Sequence, residues 1–330
     1  MKIEEIEKGK NLEEVGQELL DSQKTELEDK GQKMLDSQKT ELEDKGQKLL
    51  EEQFAKKEEE MQAKIEEFER TMEEVEKSKL PSVFTWSGKN VLITGGSRGI
   101  GAITVNILSK AGLKVWINYN NSEAQANQIK SAIVAGGGKA ETIKFDVSKP
   151  SEVSKAFKRI IKEDGQIDYV VNNAGIVKDS SLLAMKTKDL KDVIETNLYG
   201  TIYVTQEAVK AMGENKFGAI VNMSSVSGDR GNPGQSAYAA SKGAIVSFSK
   251  TVAQEVAPKG IRINVVSPGL TKTEMAQRIP PAMIARMMQV VPLRRMAEIQ
   301  EVASTIAFML SDQNSYMCGE VVKVNGGLYT

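Results

Sequence analysis

Residues 84–330 predict an α/β fold, a doubly wound and mostly parallel seven-stranded sheet, preceded over 1–80 by a long helical coiled-coil segment. Three observations carry that reading. Short apolar, β-branched runs alternate with helical stretches from residue 84 onward, a glycine-rich turn follows the first run, and the first 80 residues instead repeat a fifteen-residue unit.

The strands follow in order. "NVLITGG" opens the sheet, "VWINY" (115–119) is the second strand, "AETIKFDV" (140–147) the third and "IDYVVNNAG" (167–175) the fourth. "GAIVNMSS" (218–225), "IRINVVSPG" (261–269) and "EVVKVNGG" (320–327) complete the set. Helical stretches separate them, so consecutive strands run parallel through crossovers.

The segment before the sheet has a different character. "LLDSQKTELEDKGQK" (19–33) recurs at 34–48 with only its first residue changed to Met. Leu19, Leu27, Met34, Leu42 and Leu49, with Gln23 and Gln38, step 4-4-4-3, which implies a straight or weakly right-handed supercoil. Met61, Ile65, Phe68, Met72 and Val75 then step 4-3-4-3, a left-handed heptad seam. Gly16, Gly31 and Gly46 weaken the repeat, each by about 1 kcal/mol against alanine. Residues 79–89 break the periodicity at Pro81 and read as the linker, so the expected domains are 1–80 and 81–330.

Charge separates the same two parts. Residues 1–80 carry 15 basic and 25 acidic residues, net −10, and the remainder 29 and 20, net +9. A basic globular part suits phosphorylated cofactors and acidic partners. Its basic residues are dispersed without an aromatic-interleaved stripe, so no nucleic-acid partner is expected. No run of 18 apolar residues suggests a membrane span, and "MKIEEIEKGK" reads as neither secretory nor transit signal, making cytoplasm the expectation. With no histidine and only Cys318, neither a zinc site nor a Ser-His-Asp triad is available.

Proton chemistry then falls to "YAASK" (238–242). Tyr238 and Lys242 stand one helical turn apart on the same face, and a protonated lysine there is expected to lower the tyrosine's pKa. "TGGSRGIG" (94–101) supplies the second signal. Gly95, Gly99 and Gly101 permit a tight turn, close approach to a pyrophosphate and helix-on-strand packing, the Rossmann-like arrangement for a dinucleotide. The second strand ends in Tyr119 where an NAD-binding acid would be expected. Arg98 can pair with a 2′-phosphate, and Asn120, Asn121 and Ser122 can donate to it, which favours NADPH.

Taken together, TGxxxGIG at 94–101, Asp146-Val147, "NNAG" (172–175), Asn197, Ser225, YAASK and "SPG" (267–269) resemble the short-chain dehydrogenase/reductases, and most nearly the 3-oxoacyl-[acyl-carrier-protein] reductases. The resemblance implies that Tyr238 donates the proton, Lys242 tunes it and binds ribose, Ser225 hydrogen-bonds the carbonyl and Asn197 holds a relay water. It assigns cofactor contacts to Gly95, Ser97, Arg98, Gly99, Ile100, Gly101, Asn120, Asp146, Val147, Asn173, Ala174, Gly175, Tyr238, Lys242, Pro268, Gly269 and Thr271, with no metal. It implies a homotetramer, an acyl thioester substrate, and carrier docking near the active-site entrance through Lys216 and Lys259. Ala297 and Ile299 depart from the family's usual glycine and proline, leaving the local loop open. The coiled coil could bind itself or a larger assembly, and a reductase of free carbonyls or a scaffold subunit are the competing readings.

Overall fold

The computed structural model describes residues 84–330 apart from Arg278, together with Lys57. The coiled coil expected over 1–80, its 15-residue repeats and the start of the linker lie outside the described residues.

Seven strands form one sheet: β1 (Asn90–Ile93), β2 (Lys114–Tyr119), β3 (Lys139–Lys144), β4 (Tyr169–Asn172), β5 (Gly218–Met223), β6 (Ile261–Pro268) and β7 (Val321–Val324). Their order is β3-β2-β1-β4-β5-β6-β7 and every pairing is parallel. All seven expected strands are present, and the sheet is wholly rather than mostly parallel. The order reverses between β1 and β4, where crossover loops diverge and leave a crevice at the strands' carboxyl ends.

The central strands β1, β4, β5 and β6 read as largely apolar runs because both faces are covered. Helices α1 (Gly99–Lys110), α2 (Glu123–Ala135) and α3 (Pro150–Asp164) follow β1, β2 and β3. After β4 come α4 (Thr187–Ile194), a π-helical turn at Glu195–Tyr199 and α5 (Gly200–Asn215). The short α6 (Val226–Arg230) and long α7 (Ser236–Val256) link β5 to β6, while α8 (Glu274–Gln277), α9 (Pro281–Met288) and α10 (Ile299–Leu310) precede β7. Leu92, Val170, Ile220 and Ile263, one from each of four adjacent strands, pack against Phe157, Val204, Ala208 and Met212 of α3 and α5. On the other face α1 packs on α10.

Termini explain several boundaries. Pro150 sits in the first turn of α3, where its missing N–H costs nothing, and Gly165 ends that helix at φ 77°. Glu298 and Glu301 form a reciprocal capping box that starts α10. Arg262 of β6 donates to the carbonyls of Met309, Leu310 and Ser311 at that helix's other end (3.1–3.2 Å). Entry into the sheet is fixed there too, because the Ser87 N–H and hydroxyl both donate to the Asp312 carboxylate at 3.0 Å.

Candidate active site

Strand direction brings the site together. Thr94, Asn173, Ser225 and Gly269 each follow the carboxyl end of a strand, so all lie along one rim of the sheet.

Ser225 lies two residues beyond β5 and serves as N-cap of α6, its Oγ accepting from the Ser227 N–H at 3.2 Å. Helix α6 lies hard against α7. A Cβ on Gly228 would stand 2.7 Å from both the Gly243 nitrogen and the Lys242 carbonyl carbon, so a larger residue would push the serine away. That contact brings Ser225 within hydrogen-bonding reach of the Tyr238 hydroxyl, and the two are bonded. Lys242, one turn further on, is 4% exposed and donates from Nζ to the Met223 carbonyl at 2.7 Å.

The electrostatics differ from expectation. Burial raises the Tyr238 pKa, the Ser225 hydrogen bond opposes this, and the Asp179 carboxylate adds to the rise. Burial pulls Lys242 down to about 8. Its ammonium is bound to the Met223 carbonyl and lies 5.7 Å from the Tyr238 ring centroid. Desolvation outweighs the charge pairing that a one-turn spacing suggests.

Asn197 is fully buried in the π-helical turn. Its Oδ1 accepts from the Ile176 N–H at 2.8 Å, and its Nδ2 donates to the Ile176 carbonyl at 3.0 Å and Ser241 Oγ at 3.1 Å. Ser241 in turn donates to the Tyr238 carbonyl at 2.7 Å. The side chain therefore staples the loop after β4 to α7. Its backbone carbonyl accepts from Thr201 Oγ1 at 2.7 Å.

The glycine-rich turn is pinned between β2 and β4. Gly95 N–H donates to Asn118 Oδ1 at 3.1 Å, Asn173 Nδ2 donates to the Thr94 and Gly95 carbonyls at 3.0 Å, and Thr94 Oγ1 accepts from the Asn173 and Ala174 N–H groups. Gly99 adopts φ 53°, a left-handed conformation, at the start of α1. A Cβ on Gly101 would fall well inside contact distance of the Gly95 carbonyl oxygen and 2.6 Å from Asn173 Nδ2. Ser97 is buried and Ile100 half-buried beside this turn. Gly175 lies over Lys242, since a Cβ there would be 3.6 Å from Lys242 Nζ. These features form a cradle into which extended backbone and a pyrophosphate fit.

The remaining predicted contacts divide. Asn120 is exposed at the end of β2, beside the buried Tyr119, whose hydroxyl is bonded to Glu123. Asp146 Oδ1 accepts from the Ser148 N–H and hydroxyl, holding the turn after β3. Val147 is buried where Gly200 admits α5, an arrangement that serves packing. Pro268 ends β6, Gly269 packs on Asn325, and Thr271 is buried in a parallel bridge to Ala297. Ala297 and Ile299 thus leave the loop ordered: Ala297 pairs, and Ile299 buries its side chain at the first turn of α10. Among the described residues no cluster of side chains could hold a metal ion, and no helix is long and apolar enough to cross a membrane.

A family model described as enoyl-(acyl carrier protein) reductase matches residues 95–329. The 3-oxoacyl-[acyl-carrier-protein] reductase FabG of Staphylococcus epidermidis is 38% identical over 241 residues, covering 73% of this chain and 99% of that protein. The chain belongs to the short-chain dehydrogenase/reductase family. Its similarity extends to the 3-oxoacyl-[acyl-carrier-protein] reductase of Synechocystis (40% over 238 residues; 72% and 95% covered) and to that of Salmonella typhimurium (39% over 245; 74% and 99%). As a short-chain dehydrogenase/reductase it is an oxidoreductase.

One expectation for this short-chain reductase needs correcting. Lys216 and Lys259 precede β5 and β6, at the amino ends of strands whose carboxyl ends carry the site. A six-residue strand spans roughly 20 Å, so these lysines do not flank this chain's own active-site entrance. Sequence reasoning also missed a polar chain at the mouth: Ser227 Oγ donates to Gln235 Oε1 at 2.9 Å, and Gln235 Nε2 donates to Asp179 Oδ1 at 3.1 Å. No local pattern marked it, because its members come from separate loops. Ser267 and Asp229, joined at 2.6 Å between β6 and α6, were missed for the same reason.

Proposed function

We propose that this protein reduces a 3-oxoacyl thioester to the 3-hydroxyacyl thioester with NADPH. The observation that carries the reading is the hydrogen-bonded Ser225–Tyr238 pair, two hydroxyls converging beside a glycine-lined cradle and a buried lysine. The same activity is named for the relatives.

Arg98, the 94–101 backbone and Gly175 would hold the dinucleotide, with Lys242 toward its ribose. When bound, the nicotinamide supplies the hydride that reaches the substrate's carbonyl carbon. Tyr238 carries its proton at pH 7, as a phenol ordinarily does, and burial moves its pKa further up, so its hydroxyl is the proton donor in the direction of reduction. The developing oxyanion takes that proton while Ser225 Oγ–H donates to the same oxygen. Asn197 positions both the loop over the site and, through Ser241, the Tyr238 turn. Two donors aimed at one oxygen suit a carbonyl better than a carbon–carbon double bond, where the proton goes to carbon. Adding acetoacetyl-CoA to enzyme and NADPH is expected to consume the cofactor. Consumption with crotonyl-CoA alone would instead support the enoyl reduction named by the family model.

The carrier-borne form of this substrate extends the proposal. An acidic carrier held at Lys216 and Lys259 would serve a site on another copy in a homo-oligomer. Exchanging both lysines for glutamate should then raise KM for the carrier-bound substrate while sparing the small thioester. Equal effects on both substrates would point to a damaged fold.

A further inference from the structure

We infer that Glu274 is a specificity-determining residue for the cofactor: its carboxylate competes with the 2′-phosphate of NADPH for Arg98. The inference rests on the cofactor assignment above and concerns what opposes it.

Arg98 is the N-cap of α1, and its side chain is 60% exposed at the mouth of the cradle. Its Nη1 lies 3.4 Å from Glu274 Oε2, a long contact through one nitrogen of a five-donor fork. The guanidinium is therefore held loosely and remains open to a stronger anion. The carboxylate's place is set by its surroundings. Thr271, three residues earlier, is buried and bridged to Ala297, and the Thr273 N–H donates to the Thr271 carbonyl at 2.8 Å. A Cβ on Gly99 would lie 3.8 Å from Thr273 Cγ2, so the Thr273 side chain, next to Glu274, abuts the glycine-rich turn. The neighbouring cation, Lys272, is engaged with Glu298.

A phosphate arriving at Arg98 would meet this carboxylate at close range. It must displace the glutamate or share the guanidinium with it, and in both cases the second anion weakens binding. NADH carries no phosphate there and is indifferent to Glu274.

The test is an equilibrium titration of the full chain with NADPH and with NADH, followed by cofactor fluorescence. Glu274→Gln keeps a hydrogen-bond acceptor and removes the charge, and Glu274→Ala removes both. Each is expected to tighten NADPH by about twofold to fivefold, the range of an exposed pair, with NADH unchanged. The gain should shrink in high salt and vanish in an Arg98→Ala background. Weaker NADPH binding by Glu274→Ala would show that the glutamate positions Arg98 and would overturn the inference, as would no change or an equal change for both cofactors. If Arg98→Ala itself leaves the NADPH-to-NADH preference intact, the assignment of Arg98 to the 2′-phosphate falls and this inference with it. If it alters that preference while the Glu274 variants do nothing, only this inference falls.

Discussion

Gly101→Ala tests the cradle through a change of one methyl group. The added carbon would collide with the Gly95 carbonyl oxygen and approach Asn173 Nδ2 to 2.6 Å. Neither neighbour can yield cheaply. The carbonyl belongs to a turn tied to Asn118, and the amide nitrogen makes the two 3.0 Å bonds that hold the turn to β4. Overpacking of this kind costs about 1–3 kcal/mol. Losing both Asn173 donations adds about 0.5–1.5 kcal/mol each, so the expected destabilisation is roughly 2–6 kcal/mol. Because the same atoms shape the phosphate turn, NADPH affinity should fall at least about tenfold, one RT ln 10 step of about 1.4 kcal/mol. Urea unfolding and cofactor titration read the two effects. Gly213→Ala on α5, where a Cβ meets nothing within 4 Å, is the control and should be neutral or stabilising by up to about 1 kcal/mol. A Gly101→Ala protein with wild-type stability and cofactor affinity would refute the close-packing argument.

Three further outcomes are expected. Tyr238→Phe should lower kcat about 10²–10⁴-fold with little change in cofactor affinity, measured by steady-state kinetics and titration, because it removes only the proton donor. Asn197→Ala should cost about 2–4 kcal/mol in urea unfolding, since it strands the Ile176 N–H and carbonyl together with Ser241. Lys242 is depressed to about 8 from 10.5, so the unfolded chain binds more protons between those values and stability should rise with pH across that window. Lys242→Met should flatten that slope, by up to about 3 kcal/mol at 1.36 kcal/mol per unit, and a variant with an unchanged slope would contradict the assignment.

Much of this was legible in the sequence for a physical reason. Strands such as "GAIV" and "INVV" are buried on both faces, so their runs are mainly apolar, interrupted only by Asn264, and stand out in the chain. The site was legible because a parallel sheet gathers residues that follow strands onto one rim. Ser225, Tyr238 and the 94–101 turn could be assigned from order alone. The same logic, applied to direction, would have placed Lys216 and Lys259 at the opposite rim, because both come before their strands. Spacing puts Lys242 near Tyr238 but does not say where its ammonium points, and the Met223 carbonyl decides that. The π-helical turn that buries Asn197 has no sequence signature of its own. The Arg98–Glu274 contact joins residues 176 apart, a pairing that only the assembled fold defines.

The most direct test of the central claim follows the hydrogen atoms. Enzyme, acetoacetyl-CoA and NADPH carrying deuterium at its transferable position should give 3-hydroxybutyryl-CoA with deuterium on C3, and Tyr238→Phe should form that product at a small fraction of the rate. Absence of label at C3, or unchanged product formation by Tyr238→Phe, would contradict the assignment of this site as a carbonyl reductase.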